Sequence, residues 1–166
     1  HGATIYSEEG RIAEAENYPP LSESGVEEME SMTKYLKYRG VKNDVIYTSP
    51  AVRTRQSAMM ISKLFKKDYV VVDDLKSRRL GQWNGMTISQ ILDKYPDGIQ
   101  NLLEHPDKTI DAEVEASSEF VDRIKTVIDR LVEENVGNRI IIVTYPDVIQ
   151  AAVHNLALER MYHLYL

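Results

Sequence analysis

Three places in this chain hold side chains that could act on a small anion. In Tyr47-Thr48-Ser49-Pro50-Ala51-Val52-Arg53 an apolar run gives way at once to a helical pattern. Ser49 and Pro50 are residue types favoured at the N-cap and first position of a helix. A helix starting at the end of a buried strand aims its free N–H groups and positive dipole end at whatever lies there. Arg53, one turn in, adds a planar fork of donors suited to a phosphate or carboxylate. Taken alone, the junction reads equally well as a surface helix with a solvated arginine. The other two places are Thr144-Tyr145-Pro146-Asp147 and the loop from Leu75 to Gly85, which contains Ser77, Arg78, Arg79 and the one tryptophan.

The elements needed to bring these places together can be read from periodicity. Residues 1–20 show none and read as a loop. Ser22 caps a helix with Val26, Met29, Thr33 and Leu36 on one face, which Gly40 ends. Asp44 to Thr48 is a strand, and the helix after Pro50 runs to about Phe65 with Ala58, Ile61 and Phe65 inward. Tyr69 to Val72 is a second, β-branched strand. Ile88, Ile91, Leu92 and Tyr95 mark a helix closed by Pro96, and a short helical turn fits Ile99 to Leu103. Ser117 to Glu134 carries the stripe Phe120, Ile124, Val127, Ile128 and Leu131 of a long helix. Arg139 to Thr144 is apolar on both faces, as a central parallel strand must be. A last helix follows Pro146, with Val148, Ile149, Ala152, Val153 and Leu156 inward.

Alternating strands and helices predict a three-layer α/β/α sandwich with a mostly parallel central sheet. In such a sheet, residues just past the strand ends converge on a ligand crevice. These are Ser49 to Arg53, the loop after Val72 and Thr144 to Asp147, with His1-Gly2 joining them if a strand precedes it.

Composition narrows the function further. At 166 residues and 43% hydrophobic, the chain suits a single domain with a sizeable core. Twenty basic against twenty-six acidic residues give a net charge of −6, with no basic stripe, so nucleic acid is not expected as a partner. No apolar run is long enough to span a bilayer, and the absence of cysteine rules out a disulfide scaffold; a cytoplasmic setting is expected. The chain starts at His1, and Tyr162-His163-Leu164-Tyr165-Leu166 reads as a strand just beginning. A longer natural chain is therefore expected at both ends.

His1-Gly2-Ala3-Thr4 with Arg11, Leu21-Ser22-Glu23-Ser24-Gly25, Tyr47-Thr48-Ser49-Pro50 with Arg53 and Ala58, and Leu75 through Gly81-Gln82-Trp83-Asn84-Gly85 resemble, in order and over essentially the whole chain, the histidine phosphatase superfamily with its phosphoglycerate-mutase-like fold. The resemblance implies that His1 attacks phosphorus to form a phosphohistidine. It also implies an arginine and a strand before His1. Arg53 would clamp the phosphoryl oxygens, with Gly2, Thr4, Ser7, Arg11, Ser49, Ser77 and Arg78 as phosphate- or substrate-binding positions.

Two positions depart from the family pattern. Ser77 stands where a glutamate commonly protonates the leaving group, and a serine hydroxyl has no proton-transfer pKa near neutrality. Loss of general acid help costs about 10²–10⁴ in rate. Glu8, Glu9, Glu115 and Asp147 are the candidate replacements. Tyr145 stands where a second histidine donates to the phosphoryl group, and losing such a donor costs about 10²–10³. Arg78 and Arg79 either bind a second anionic group or are solvated, solvation being the favoured reading. His105, His154 and His163 read as structural, with no metal-ligand spacing among them.

The expected function is thus a phosphatase acting on a small phosphorylated metabolite, without metal or organic cofactor. The alternatives are a catalytically degenerate phospho-ligand binding protein and a phosphoglycerate mutase. A homodimer is left open.

Overall fold

The computed structural model describes residues 1–14, 18–108 and 113–163, with side chains through residue 155. Three parallel strands form the sheet, β1 (Val45–Thr48), β2 (Tyr69–Val71) and β3 (Ile140–Val143), in the order β2-β1-β3. Ile46 pairs with Tyr69 on one side and Ile141 on the other, so β1 is central among the described strands. Parallel neighbours need helical crossovers, and the chain supplies them.

Side chains alternate across the sheet as the pleat requires. Ile46 and Val143 point to one face, where they pack with Met29 of α2 (Glu23–Tyr38) and with Ala58 and Ile61 of α3 (Val52–Phe65). Tyr47, Val45, Ile140 and Ile142 point to the other, against α6 (Ser117–Glu134) and α7 (Pro146–His163). Helices cover both faces, giving the three layers expected. Phe120, Ile124, Val127, Ile128 and Leu131 of α6 are all buried. Each contributes about 1.5–3 kcal/mol relative to exposure, so packing rather than capping holds this helix.

Between the core elements lie α1 (Ile5–Glu8), α4 (Ile88–Lys94) and α5 (Gly98–Glu104), with single 3₁₀ turns at Asp73–Leu75 and Gly81–Trp83. Residues 1–20 are therefore not all loop. Thr4 and Ser7 close a reciprocal capping box around α1. Ser22 caps α2 as expected, and Gly40 leaves it at φ 60°.

Several inward positions read from periodicity lie at the surface instead. Val26 is exposed, and Gly25 takes the buried place one residue earlier. That place demands glycine, because a Cβ on Gly25 would lie 2.0 Å from the Ala3 carbonyl oxygen, and one on Gly2 would lie 2.2 Å from the Gly25 carbonyl oxygen. Ile88 and Leu92 of α4 and Ile149 and Val153 of α7 are also exposed, since each helix turns only a narrow stripe (Ile91; Val148 and Ala151) to the core. Tyr162 and His163 belong to α7, not to a strand; Leu164 to Leu166 and the side chain of Leu156 lie outside the described residues. No described helix is long and apolar enough to cross a membrane.

Candidate active site

The carboxyl ends of the strands are joined by an uncharged knot. Ser49 Oγ donates to the Leu75 carbonyl at 2.8 Å and lies 2.6 Å from Thr144 Oγ1, while Ser49 N donates to the Val143 carbonyl. All of these groups are buried, so the loops after β1, β2 and β3 are fixed to one another. This corrects the role expected of Ser49. Ala51 is the N-cap residue of α3, the helix begins at Val52, and neither Ser49 nor Pro50 lines the cleft described below. Thr54 Oγ1 donates to the Ser49 and Ala51 carbonyls and ties down the turn that precedes α3, while no side chain caps the helix. Pairing with β3 carries the extended backbone past Ser49, which delays the helix.

Above this knot opens a cleft of about 310 Å³, within the range for a small ligand. His1, Arg53 and Tyr145 line its base. The main-chain nitrogen of His1 donates to the Thr144 carbonyl at 3.3 Å, placing the residue beside the end of β3. Its Nδ1 lies 2.8 Å from the Gly2 carbonyl oxygen. A carbonyl can only accept, so in the neutral ring Nδ1 carries the hydrogen and Nε2 carries the lone pair. That is the protonation pattern a nucleophilic imidazole needs.

Arg53 is 1% exposed, and its Nη2 donates to the Ala13 carbonyl at 2.6 Å. Its guanidinium lies over the Tyr145 ring, 5.0 Å from the centroid. Burial lowers its pKa, against the raising effects of Tyr145 and Asp147, yet an arginine stays cationic at neutral pH. Tyr145 is 3% exposed and meets the His1 ring edge-on at 5.8 Å. It thus serves as a packing plate for both His1 and Arg53.

The walls come from two loops. On one, Thr4 and Ser7 present the α1 capping box, and Arg11 sits at the rim, bonded to Glu9, the Gly85 carbonyl and Gln90. On the other, Ser77 Oγ donates to Asp147 Oδ2 at 2.6 Å, and Arg78 N donates to the same oxygen at 2.9 Å. The Arg78 side chain is half-buried and tied by Nε to the Glu115 carbonyl and by Nη2 to the Pro106 carbonyl. Burial lowers its pKa, while Glu115, Asp107 and Asp147 raise it. The favoured reading of Arg78 as a solvated charge is therefore wrong, because backbone carbonyls hold it at the cleft.

Among the sequence-derived candidates, the structure brings His1, Thr4, Ser7, Arg11, Arg53, Ser77, Arg78 and Tyr145 to one cleft. Gly2 is not among them: its N–H points to Ser57 Oγ, and its missing side chain makes room for Gly25. Of the four candidate acids, only Asp147 lines the cleft. Glu8 accepts from Ser22 and Ser24, which lower its pKa, and Glu9 pairs with Arg11. Glu115 is buried and gripped by both forks of Arg123; burial pushes its pKa up, but the Arg123 hydrogen bonds and charge outweigh it and hold it low. His105 caps the end of α5 and His154 is exposed, neither at the cleft. Among the described residues no group of three or more His, Cys, Asp or Glu is placed to hold a metal ion.

Sequence reasoning missed Glu14, which lines the cleft beside Ile12, Ala13 and Leu80. It lies in an aperiodic stretch, where spacing gave no sign of it. A larger depression of about 590 Å³ runs along α2, but Glu27 and Glu28 line it without a cation. Such walls repel phosphate, and the smaller cleft is the chemical one.

Comparison with known proteins gives the family and the fold. The model of the histidine phosphatase superfamily (branch 1) matches residues 1–164. Phosphoserine phosphatase 1 of Hydrogenobacter thermophilus is 24% identical over 127 residues, covering 76% of this chain and 59% of that protein. The metal-independent phosphoserine phosphatase of Arabidopsis thaliana is 26% identical over 153 residues, covering 91% of this chain and 63% of that protein. The chain thus spans about three-fifths of the length of these relatives. A mycobacterial glucosyl-3-phosphoglycerate phosphatase solved with VO3 superposes with a TM-score of 0.81 at 21% identity, covering 94% of this chain and 78% of that one. Collinear motifs, fold and family model agree, and the chain belongs to the histidine phosphatase superfamily.

Proposed function

We propose that this chain hydrolyses a small phosphomonoester through a phosphohistidine on His1. The observation that carries the reading is the Nδ1 contact of His1 with a carbonyl, which leaves the Nε2 lone pair free in the cleft shared with the buried cation Arg53. Phosphoryl transfer spreads charge over three oxygens, so catalysis rests on positioning and fixed positive groups. Nε2 attacks phosphorus in line with the departing alcohol oxygen. Arg53, held by the Ala13 carbonyl and the Tyr145 ring, meets the equatorial oxygens. Water then attacks the phosphohistidine from the vacated side and regenerates the imidazole.

The metabolite is small and carries a second anionic or polar group, for which the tethered Arg78 and the rim residue Arg11 are the recognition elements. Relatives named for phosphoserine and for glucosyl-3-phosphoglycerate support this substrate class. Ser77 and Tyr145 favour a second reading, a binder that holds phosphate without turning it over. Intact mass after brief exposure to 4-nitrophenyl phosphate separates the two. Hydrolysis gives an acid-labile phosphoryl adduct that His1→Ala abolishes. A folded protein that gains melting temperature with phosphate but forms no adduct is the binder.

A further inference from the structure

We infer that Glu14 is the catalytic acid–base of this cleft, giving its proton to the leaving oxygen and recovering one from the attacking water. The inference rests on the phosphohistidine reading above. Two carboxyl groups line the cleft, Glu14 and Asp147. Asp147 is committed as an acceptor: Oδ2 takes the Ser77 hydroxyl and the Arg78 amide, and Oδ1 takes the Val148 amide. With donors on both of its oxygens, Asp147 anchors the Ser77–Arg78 wall.

Glu14 is committed at one oxygen only. Oε2 accepts from Leu80 N at 2.8 Å, and the residue's own amide donates to Asn84 Oδ1 at 2.9 Å. The first bond holds the carboxyl, the second holds its backbone, and Oε1 is left for the ligand. The preceding residue adds a third restraint, because the Ala13 carbonyl accepts from Arg53 Nη2. The group that clamps the phosphoryl oxygens thereby grips the peptide that carries the group proposed to protonate the leaving oxygen. General acids are placed by geometry before pKa, and of the two carboxyls that line the cleft Glu14 is the one that keeps an oxygen outside these hydrogen bonds.

The steps balance. In the first, the Nε2–P bond forms as the P–O bond to the alcohol breaks, and the Glu14 proton passes to the departing oxygen. In the second, water oxygen attacks phosphorus, its proton passes to the Glu14 carboxylate, and the N–P bond breaks to release phosphate.

The test is Glu14→Gln assayed on phenyl phosphate and 4-nitrophenyl phosphate. The glutamine oxygen still accepts from Leu80 N, so the loop stays in place. Phenolate needs protonation far more than nitrophenolate. The expected result is a fall in kcat/KM of about 10²–10⁴ for phenyl phosphate and less than about tenfold for 4-nitrophenyl phosphate. The phosphoryl adduct also persists longer, since water activation is lost. In Glu14→Ala, formate restores part of the phenyl phosphate rate, which a structural role does not allow. Equal losses on both esters, no loss, or a leaving-group-dependent loss in Asp147→Asn alone would overturn the assignment. His1→Ala run alongside keeps the two readings apart: an adduct in that variant sinks the phosphohistidine, whereas its absence together with leaving-group-independent Glu14→Gln rates sinks only Glu14.

Discussion

The contact between Gly2 and Gly25 turns a packing detail into a measurable claim about His1. An ordinary carbon–oxygen approach is about 3.3 Å, whereas a Cβ on Gly25 would sit 2.0 Å from the Ala3 carbonyl oxygen. In Gly25→Ala the two backbones are therefore too close by about 1.3 Å, and the segment holding His1 must move off α2. Overpacking of this kind costs about 1–3 kcal/mol. For a domain of this size each kcal/mol lowers the melting temperature by about 2–4 °C, a drop of about 2–12 °C in all. Displacing the nucleophile by about 1 Å costs about 10²-fold in rate. Scanning calorimetry reads the first effect, and the rate of adduct formation from 4-nitrophenyl phosphate reads the second. An unchanged melting temperature would refute the contact. A lowered melting temperature with an unchanged adduct rate would refute the claim that this contact sets the position of His1.

Two further outcomes test the cleft and its support. Arg53→Ala should abolish the rise in melting temperature caused by phosphate, since linkage stabilises only what binds; a rise that survives would place the anion elsewhere. Glu115→Gln should destabilise by roughly 1–3 kcal/mol at neutral pH, less than the about 3–5 of a fully buried broken pair because Arg123 is 25% exposed. The Glu115 pKa lies below its ordinary 4.5 when folded. Its contribution is therefore complete above that value and is lost as pH falls through the folded pKa. The stability curves of the two proteins, followed by urea melts, should converge in acid; curves that stay parallel would contradict the pairing.

Much of this was legible in the sequence for physical reasons. α6 announced itself because its apolar stripe is unbroken, and β3 because its run is apolar at every position, although it lies at the edge of the described sheet with only Val143 fully buried. Arg53 and Tyr145 were legible because strand ends converge in a parallel sheet, whereas His1 came from the resemblance of His1-Gly2 to the family's motif. The errors share a cause as well. Ser49 is an excellent cap by residue type, but its hydroxyl was claimed by Leu75 and Thr144, partners distant in sequence. Ile149 and Val153 have the right spacing, yet among the described residues α7 turns Val148 and Ala151 to the core and leaves these two exposed. Glu14 lies in a stretch without periodicity, and only the folded loop brings it to Leu80 and Asn84.

The knot of Ser49, Thr144 and the Leu75 carbonyl has a consequence for how such a site can change over time. Its members are neutral and satisfy one another, so the foundation of the cleft asks nothing of the charges above it. Ser77 and Glu14 stand on the loops above it, where a replacement alters the chemistry without loosening the joints below. A phosphate arriving in the cleft meets a seat already assembled, and its binding should show little of the heat-capacity change that accompanies coupled folding. Stability and reactivity are inherited here through different residues.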